Sequence, residues 1–216
     1  MDVRYSNPVD ASERKPRGEY QTGRRRRELI LEKAAAIFAD HGFAATSYRE
    51  IAAACDLTPA GLAHHFTDKS AILLELLDRR ERAGDDLQSK LDWREWLLEI
   101  ERINRSNPVM TRLFVVLSAE ATEVTHPAHD YFVQRYQTTR EKFADMIRQQ
   151  RSGRRITIDD RRRAQVLIAA WDGLQLQSTL DPHFGMRPAF QLAIELVSTS
   201  STPPQQSTPP QKRTSP

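Results

Sequence analysis

The stretch SYREIAAACDLTPAGLAHHF, residues 47–66, decides how this chain is read. Ser47 opens a capping box, with Glu50 three residues on to answer the N-cap amide. Ile51 and Ala54 continue one apolar face at helical spacing. Cys55-Asp56-Leu57 is a tight connection. Thr58 then caps a second short helix whose first position is Pro59, where a missing N–H costs nothing. Small alanines stand where the two helices cross, and Leu57 supplies an apolar residue in the turn. Two short helices with a connection of about four residues form a helix-turn-helix. The second helix of such a unit lies in the major groove and presents its N-terminal residues to base edges. Its positive dipole end and open N–H groups also favour phosphate. The same pattern, taken alone, also occurs as an amphipathic helix pair in structural bundles.

Upstream, Leu29, Ile30, Ala34, Ile37 and Phe38 place one apolar stripe on a helix over Arg24–His41, and Gly42 supplies its stop. Downstream, a fourth helix starts near Asp68 and turns Ile72, Leu73, Leu76 and Leu77 inward. Beyond Gly84 the spacing predicts helices over 92–105, 108–125, 127–152, 159–180 and 187–198. Asn107-Pro108, His126-Pro127, Asp181-Pro182 and Arg187-Pro188 punctuate them, because the residue before proline resists the helical conformation. No stretch keeps a period of two, so the expected class is all-α.

The 216 residues are too many for a DNA-binding module alone. The domains expected are a helix-turn-helix domain over 23–84 and a larger helical domain over 85–198. Residues 1–22 lack a periodic apolar pattern, and 199–216 are almost wholly Ser, Thr, Pro and Gln. Such segments bury too little surface to offset ordering entropy, so both are expected to be disordered.

The net charge of +3, from 32 Lys and Arg against 29 Asp and Glu, permits a polyanion partner without demanding one. Residues 24–84 hold ten basic and nine acidic side chains, so an architectural protein that coats DNA through bulk charge is a poor fit. The single cysteine, Cys55, excludes an internal disulfide and suits a reducing compartment. No stretch reaches the roughly 18 apolar residues of a membrane span. A cytoplasmic protein with no membrane partner is expected. His64 and His65 with Cys55 do not make a metal site, since adjacent histidines on a helix diverge and a fourth ligand is lacking. The sequence holds no glycine-rich phosphate loop and no nucleophile–base–orienter set, so neither a cofactor nor an enzymatic activity is expected.

Residues 26–83 resemble the DNA-binding domain of TetR-family regulators in order and spacing. The similar elements are Arg-x-x-Ile-Leu-x-x-Ala-x-x-x-Phe at 27–38, His-Gly-Phe-x-x-Thr-Ser at 41–47 and Arg-Glu-Ile-Ala at 49–52. Leu-Thr-Pro-x-x-Leu follows at 57–62, and His-His-Phe-x-x-Lys-x-x-Ile-Leu at 64–73. Trp-Asp-Gly-Leu-Gln-Leu-Gln at 171–177 is similar to the penultimate-helix dimerisation segment of many members. Ala63 departs from the pattern, standing where relatives often carry tyrosine.

The resemblance implies an N-terminal three-helix helix-turn-helix DNA-binding domain followed by a helical ligand-binding and dimerisation domain. It implies a homodimer on a palindromic double-stranded operator, with repression as the default and release by a small apolar or amphipathic effector. The alternative is the same fold acting as a ligand-independent dimeric regulator. Thr58, Pro59, Ala60 and Gly61 would line the groove-facing start of the recognition helix, Pro59 and Ala60 touching thymine methyls. His64 would reach phosphate or base, and Lys69 would hold backbone phosphate. Ser47, Tyr48 and Arg49 would grip the flanking strand. The run Arg24-Arg25-Arg26-Arg27, with Arg24 and Arg26 foremost, would lie beside DNA as a basic arm. Arg154, Arg155 and Arg161–Arg163 read as solvated surface.

Aromatic residues in the later helices suit a mostly apolar effector cavity. Its expected lining is Trp96, Phe114, Leu117, Phe132, Tyr136, Trp171 and Gln175, with Asn104, Arg112 and Glu120 as further polar candidates. The dimer is expected through 159–180 and 187–198, on Val166, Ile168, Ala169, Leu174, Leu176, Phe190, Ala193, Ile194 and Val197. The fourth helix is expected to carry the effector's signal by changing the spacing of the two recognition helices.

Overall fold

The computed structural model describes residues 17–88, 91–181 and 183–199; the 1–16 part of the N-terminal arm, Pro182 and the tail from 200 on lie outside them. Among the described residues there is no strand, and the chain is all-α. The helices are α1 (Arg17–Ala45), α2 (Tyr48–Ala54), α3 (Pro59–Ala63), α4 (Lys69–Gln88), α5 (Trp93–Ser106), α6 (Pro108–Glu120), α7 (His129–Gln150), α8 (Ile158–Leu180) and α9 (Met186–Ser198).

Local chemistry explains most of the boundaries. Ser47 accepts from the Glu50 amide at 3.1 Å while Glu50 answers the Ser47 amide, completing the capping box at α2. Thr157 and Asp160 form the same device at α8. Gly42 breaks α1 with φ 78 and ψ 167, a conformation that a side chain resists. Asp56 turns the corner between α2 and α3 at φ 54, where a short polar side chain is tolerated better than an apolar one.

Three boundaries differ from the sequence reading. Helix α1 begins at Arg17, seven residues ahead of Arg24, with Gly23 inside it. Helix α4 passes through Gly84 to Gln88, since an interior glycine costs only about 1 kcal/mol and takes no left-handed conformation here. Helix α6 ends at Glu120 instead of 125. The 121–128 segment turns, tied by Thr122 Oγ1 to the Ala119 carbonyl (2.7 Å) and by the Ala128 amide to His126 Nδ1 (3.1 Å).

The chain divides into two compact units. One takes residues up to Leu91 together with Arg102–Phe132. Its core is Ile30, Phe38, Ile51, Leu62, Ile72, Leu73, Leu113 and Leu117, all buried, with α6 packed along α1. The other takes Asp92–Glu101 and the chain from Val133 on, where α8 packs against α9. There Trp96 meets Phe143 edge-on at 5.9 Å, and Trp171 meets Phe190 at 4.7 Å. The 84/85 boundary expected between the domains falls inside α4. No helix of the described residues is long and apolar enough to cross a membrane.

Candidate nucleic-acid interface

The helix-turn-helix is built outward from a few buried residues. Ile51 and Ala52 fix α2, and Leu62 fixes α3, each fully buried. The opposite sides face out. Thr58, Pro59, Ala60, Ala63 and His64 are exposed, while Gly61 is half-buried against Leu57 and Thr58. Thr58 Oγ1 accepts from the Gly61 amide at 3.0 Å and so satisfies one open donor of this five-residue helix. Its hydroxyl hydrogen remains available to an outside acceptor, since a hydroxyl both accepts and donates.

Ser47 and Arg49 are also exposed at the start of α2. Tyr48 is half-buried, and its hydroxyl donates to the Phe66 carbonyl at 2.5 Å, fastening α2 to the segment that follows α3. Burial, helped by Asp68, raises the Tyr48 pKa above its ordinary value, so the phenol stays a donor.

Four consecutive arginines play two different parts. Arg24 and Arg25 are exposed. Arg26 is exposed as a residue but reaches the Cys55 carbonyl with Nη1 at 3.4 Å. Arg27 is turned inward. It pairs with Glu75 (Nε to Oε1, 3.2 Å), donates to the His65 carbonyl, and lies 3.9 Å from the centre of the Phe66 ring. Arg79 Nη2 donates to the same Oε1 of Glu75 at 2.8 Å and Arg79 also pairs with Glu28. Arg27, Glu75 and Arg79 thus clamp α1 to α4 beside the segment that follows α3. The sequence reading placed Arg27 in the basic arm and missed the clamp, because Glu75 stands 48 residues away. His65 is half-buried beside it; burial and then the charges of Arg27, Arg26 and His64 lower its pKa and keep it neutral.

Lys69 is put to a use different from the backbone-phosphate contact expected of it. Its Nζ donates to the carbonyls of Phe43 (2.8 Å) and Thr46 (2.7 Å), with Ala44 at 3.5 Å, and lies 4.2 Å from the Phe43 ring centre. These bonds engage the three hydrogens of its ammonium group.

The residues expected to line an effector cavity fall in two sets. Phe114, Leu117 and Phe132 belong to the unit that carries the helix-turn-helix, with the Phe114 and Phe132 rings 5.0 Å apart and Arg80 3.7 Å over Phe114. Trp96, Tyr136, Trp171 and Gln175 belong to the other, where Tyr136 donates to Asp172 at 2.8 Å. Gln175 is 1% exposed, and its Nε2 has no hydrogen-bond partner, an arrangement that leaves a buried donor pair open. Arg112 is taken up by Asp40 at 3.1 Å, and Glu120 accepts from the Phe43 amide. Among the described residues no cluster of His, Cys, Asp and Glu suits a metal ion.

On α8 and α9 the expected dimer positions separate by exposure. Ile168 on α8 and Phe190, Ile194 and Val197 on α9 are buried within the chain. Val166, Ala169 and Leu176 are exposed, and Leu180, Leu192 and Leu196 join them, three leucines that the sequence reading left out.

Residues 30–76 match the model of the bacterial regulatory proteins of the tetR family. No curated protein matches the sequence. Solved structures share the fold. Salmonella enterica GusR aligns at TM-score 0.64 and 20% identity over 81% of this chain and 96% of its own. A TetR-family transcriptional regulator from Streptomyces coelicolor aligns at 0.62 and 22% over 82% and 95%. A SmeT–triclosan complex aligns at 0.67 and 20% over 80% and 90%.

Proposed function

We propose that the chain, whose residues 30–76 match the tetR-family model, is a TetR-family transcriptional regulator that works as a homodimeric repressor and leaves a palindromic operator when a small effector binds. DNA binding follows from the family; the finer points are inferred from the residues. The observation that carries them is the pairing of an outward α3 with an unpartnered apolar stripe elsewhere in the same chain.

For reading DNA, Thr58, Pro59, Ala60 and Gly61 present hydroxyl, ring, methyl and backbone to base edges, with His64 one turn on. Ser47 and Arg49 take flanking phosphates, with Tyr48 alongside, and Arg24 with Arg26 extends the contact as a basic arm. Lys69 is better assigned to holding the α1–α2 corner than to phosphate.

For pairing, Val166, Ala169, Gly173, Leu176 and Leu180 recur at alternating spacings of three and four, one stripe along α8. Ala189, Leu192 and Leu196 repeat the spacing on α9. Leu180 and Leu196 are 75% and 64% exposed, a large apolar surface to leave in water. A second copy of the chain offers the same stripe, so a four-helix contact of α8 and α9 from each protomer buries both. One recognition helix reads few base pairs, and the twofold axis sets two of them about 34–36 Å apart.

For sensing, the unpartnered Gln175 Nε2 and the Tyr136–Asp172 pair offer polar groups in the unit that also carries Trp96 and Trp171. The SmeT–triclosan complex supports a helical domain of this type taking a small molecule. An effector acts only through its differential affinity for the DNA-competent state. The setting is the bacterial cytoplasm.

Fluorescence anisotropy with the wild-type chain, Thr58→Ala and His64→Ala tests the reading surface. Each variant is expected to lose about tenfold or more in affinity for a selected duplex, on the scale of roughly 1–3 kcal/mol per base contact. Unchanged affinity in both would overturn the assignment of α3.

A further inference from the structure

One carboxylate from α6 is bound at the break in α1. With Gly42 at φ 78, the helical ladder is interrupted and the Phe43 amide turns away from it. That amide donates to Glu120 Oε2 at 2.9 Å across 77 residues of sequence. A Cβ on Gly42 would run into Glu120 Oε1, so the glycine is required twice, for its backbone conformation and for the carboxylate's approach. The corner is held from within by Thr46, which is buried and donates its hydroxyl to the Gly42 carbonyl at 2.7 Å. The Ser47 cap of α2 follows directly, so there is no slack between the bolted amide and the helix that presents Ser47 and Arg49.

The far side of Glu120 leads into the 121–128 turn. His126 Nε2 lies 3.8 Å from Glu120 Oε2 with no hydrogen-bond partner, and its ring meets Phe43 edge-on at 5.0 Å. Nδ1 accepts from the Ala128 amide at 3.1 Å, so the ring proton sits on Nε2 and faces the carboxylate. Glu120 therefore stands between the α6–α7 turn and the first residues of the helix-turn-helix, all within one compact unit.

We propose that Glu120 is a positioning residue for DNA binding: by accepting from the Phe43 amide it sets the placement of α2, and the α6–α7 turn acts on the reading surface through it. The inference rests on the DNA-binding reading of the helix-turn-helix. It supplies a route from α6 to α2 that bypasses the expected fourth-helix route.

The test uses the full chain and a DNA duplex that the wild type enriches from a random-sequence pool. Glu120→Ala removes the acceptor; Glu120→Gln keeps an oxygen for the Phe43 amide. Affinity is expected to fall about tenfold or more in Glu120→Ala, the scale of losing a bond to a charged acceptor, and to return within about threefold in Glu120→Gln. Hydrogen exchange at the Phe43 amide is expected to follow affinity, fast in the alanine variant and slow in the glutamine one. Should Glu120→Ala not fold, Glu120→Gln decides by itself: retained affinity with a protected Phe43 amide supports the assignment. Wild-type affinity in Glu120→Ala, equal loss in both variants, or full affinity with an unprotected Phe43 amide overturns it. A wild-type chain that enriches no duplex contradicts the DNA-binding reading instead.

Discussion

Lys69 donates to the Thr46 carbonyl at 2.7 Å, which places a cation of α4 on the corner that launches α2. A lysine whose hydrogens are engaged by carbonyls has none left to donate to a phosphate. Lys69→Met is therefore expected to cost about 1–3 kcal/mol of stability through the stranded carbonyls. It is expected to leave the slope of log affinity against log salt unchanged. A phosphate contact would instead reduce that slope by about 0.9. Denaturant melts and a salt titration of anisotropy separate the two roles.

Glu75 gives the α1–α4 clamp a pH signature. Its carboxyl is held below its ordinary value of 4.5, chiefly by the hydrogen bond from Arg27, with burial opposing and Arg79 assisting. A carboxylate depressed by folding adds stability above its unfolded value and loses it as pH falls through the folded one. Wild-type stability is expected to decline as the medium is acidified below about pH 4.5, and Glu75→Gln to be less stable at neutral pH with a flatter acid limb. Thermal melts from pH 7 to 3 check this; parallel acid limbs would remove Glu75 from the account.

Gly42→Ala combines a disfavoured φ with a collision at Glu120. The expected cost is roughly 1–3 kcal/mol, and a chemical melt measures it. Ala at the half-buried, helical Gly23, where an added Cβ meets nothing within 4 Å, is expected to be neutral or stabilising.

Leu176→Arg with Leu196→Arg places charge on the exposed stripe without touching the protomer's buried core. Sedimentation is expected to show monomers at concentrations where the wild type is dimeric, with the far-ultraviolet spectrum retained. A wild-type chain that sediments as a monomer at tens of micromolar contradicts pairing through α8 and α9.

The helix-turn-helix was legible because its signals are local. Ser47 with Glu50, Thr58 before Pro59, and Gly42 after a 3.6-residue stripe each announce a boundary within a few positions. Lys69 and Glu120 were read by type, as a phosphate ligand and a cavity group, because their partners are set by packing across 23 and 77 residues. The α6 boundary was missed for a related reason. Ala121 and Val124 continue the apolar spacing past Glu120, while the turn is tied by the Thr122 hydroxyl and by the Ala128 amide donating to His126. Exposure on α8 was equally hidden, since periodicity names an apolar stripe but not which of two stripes the protomer buries for itself.

Reading of a specific DNA sequence by the outward α3 of a paired molecule is open to direct measurement. Selection of duplexes from a random pool by the purified chain, at about 0.15 M ionic strength where nonspecific attraction is screened, tests it most directly. The expected result is an enriched site with twofold symmetry, its half-sites one helical turn or a multiple apart, and loss of that enrichment in Thr58→Ala. Recovery of unenriched sequence, or the same site enriched equally by Thr58→Ala, would contradict it.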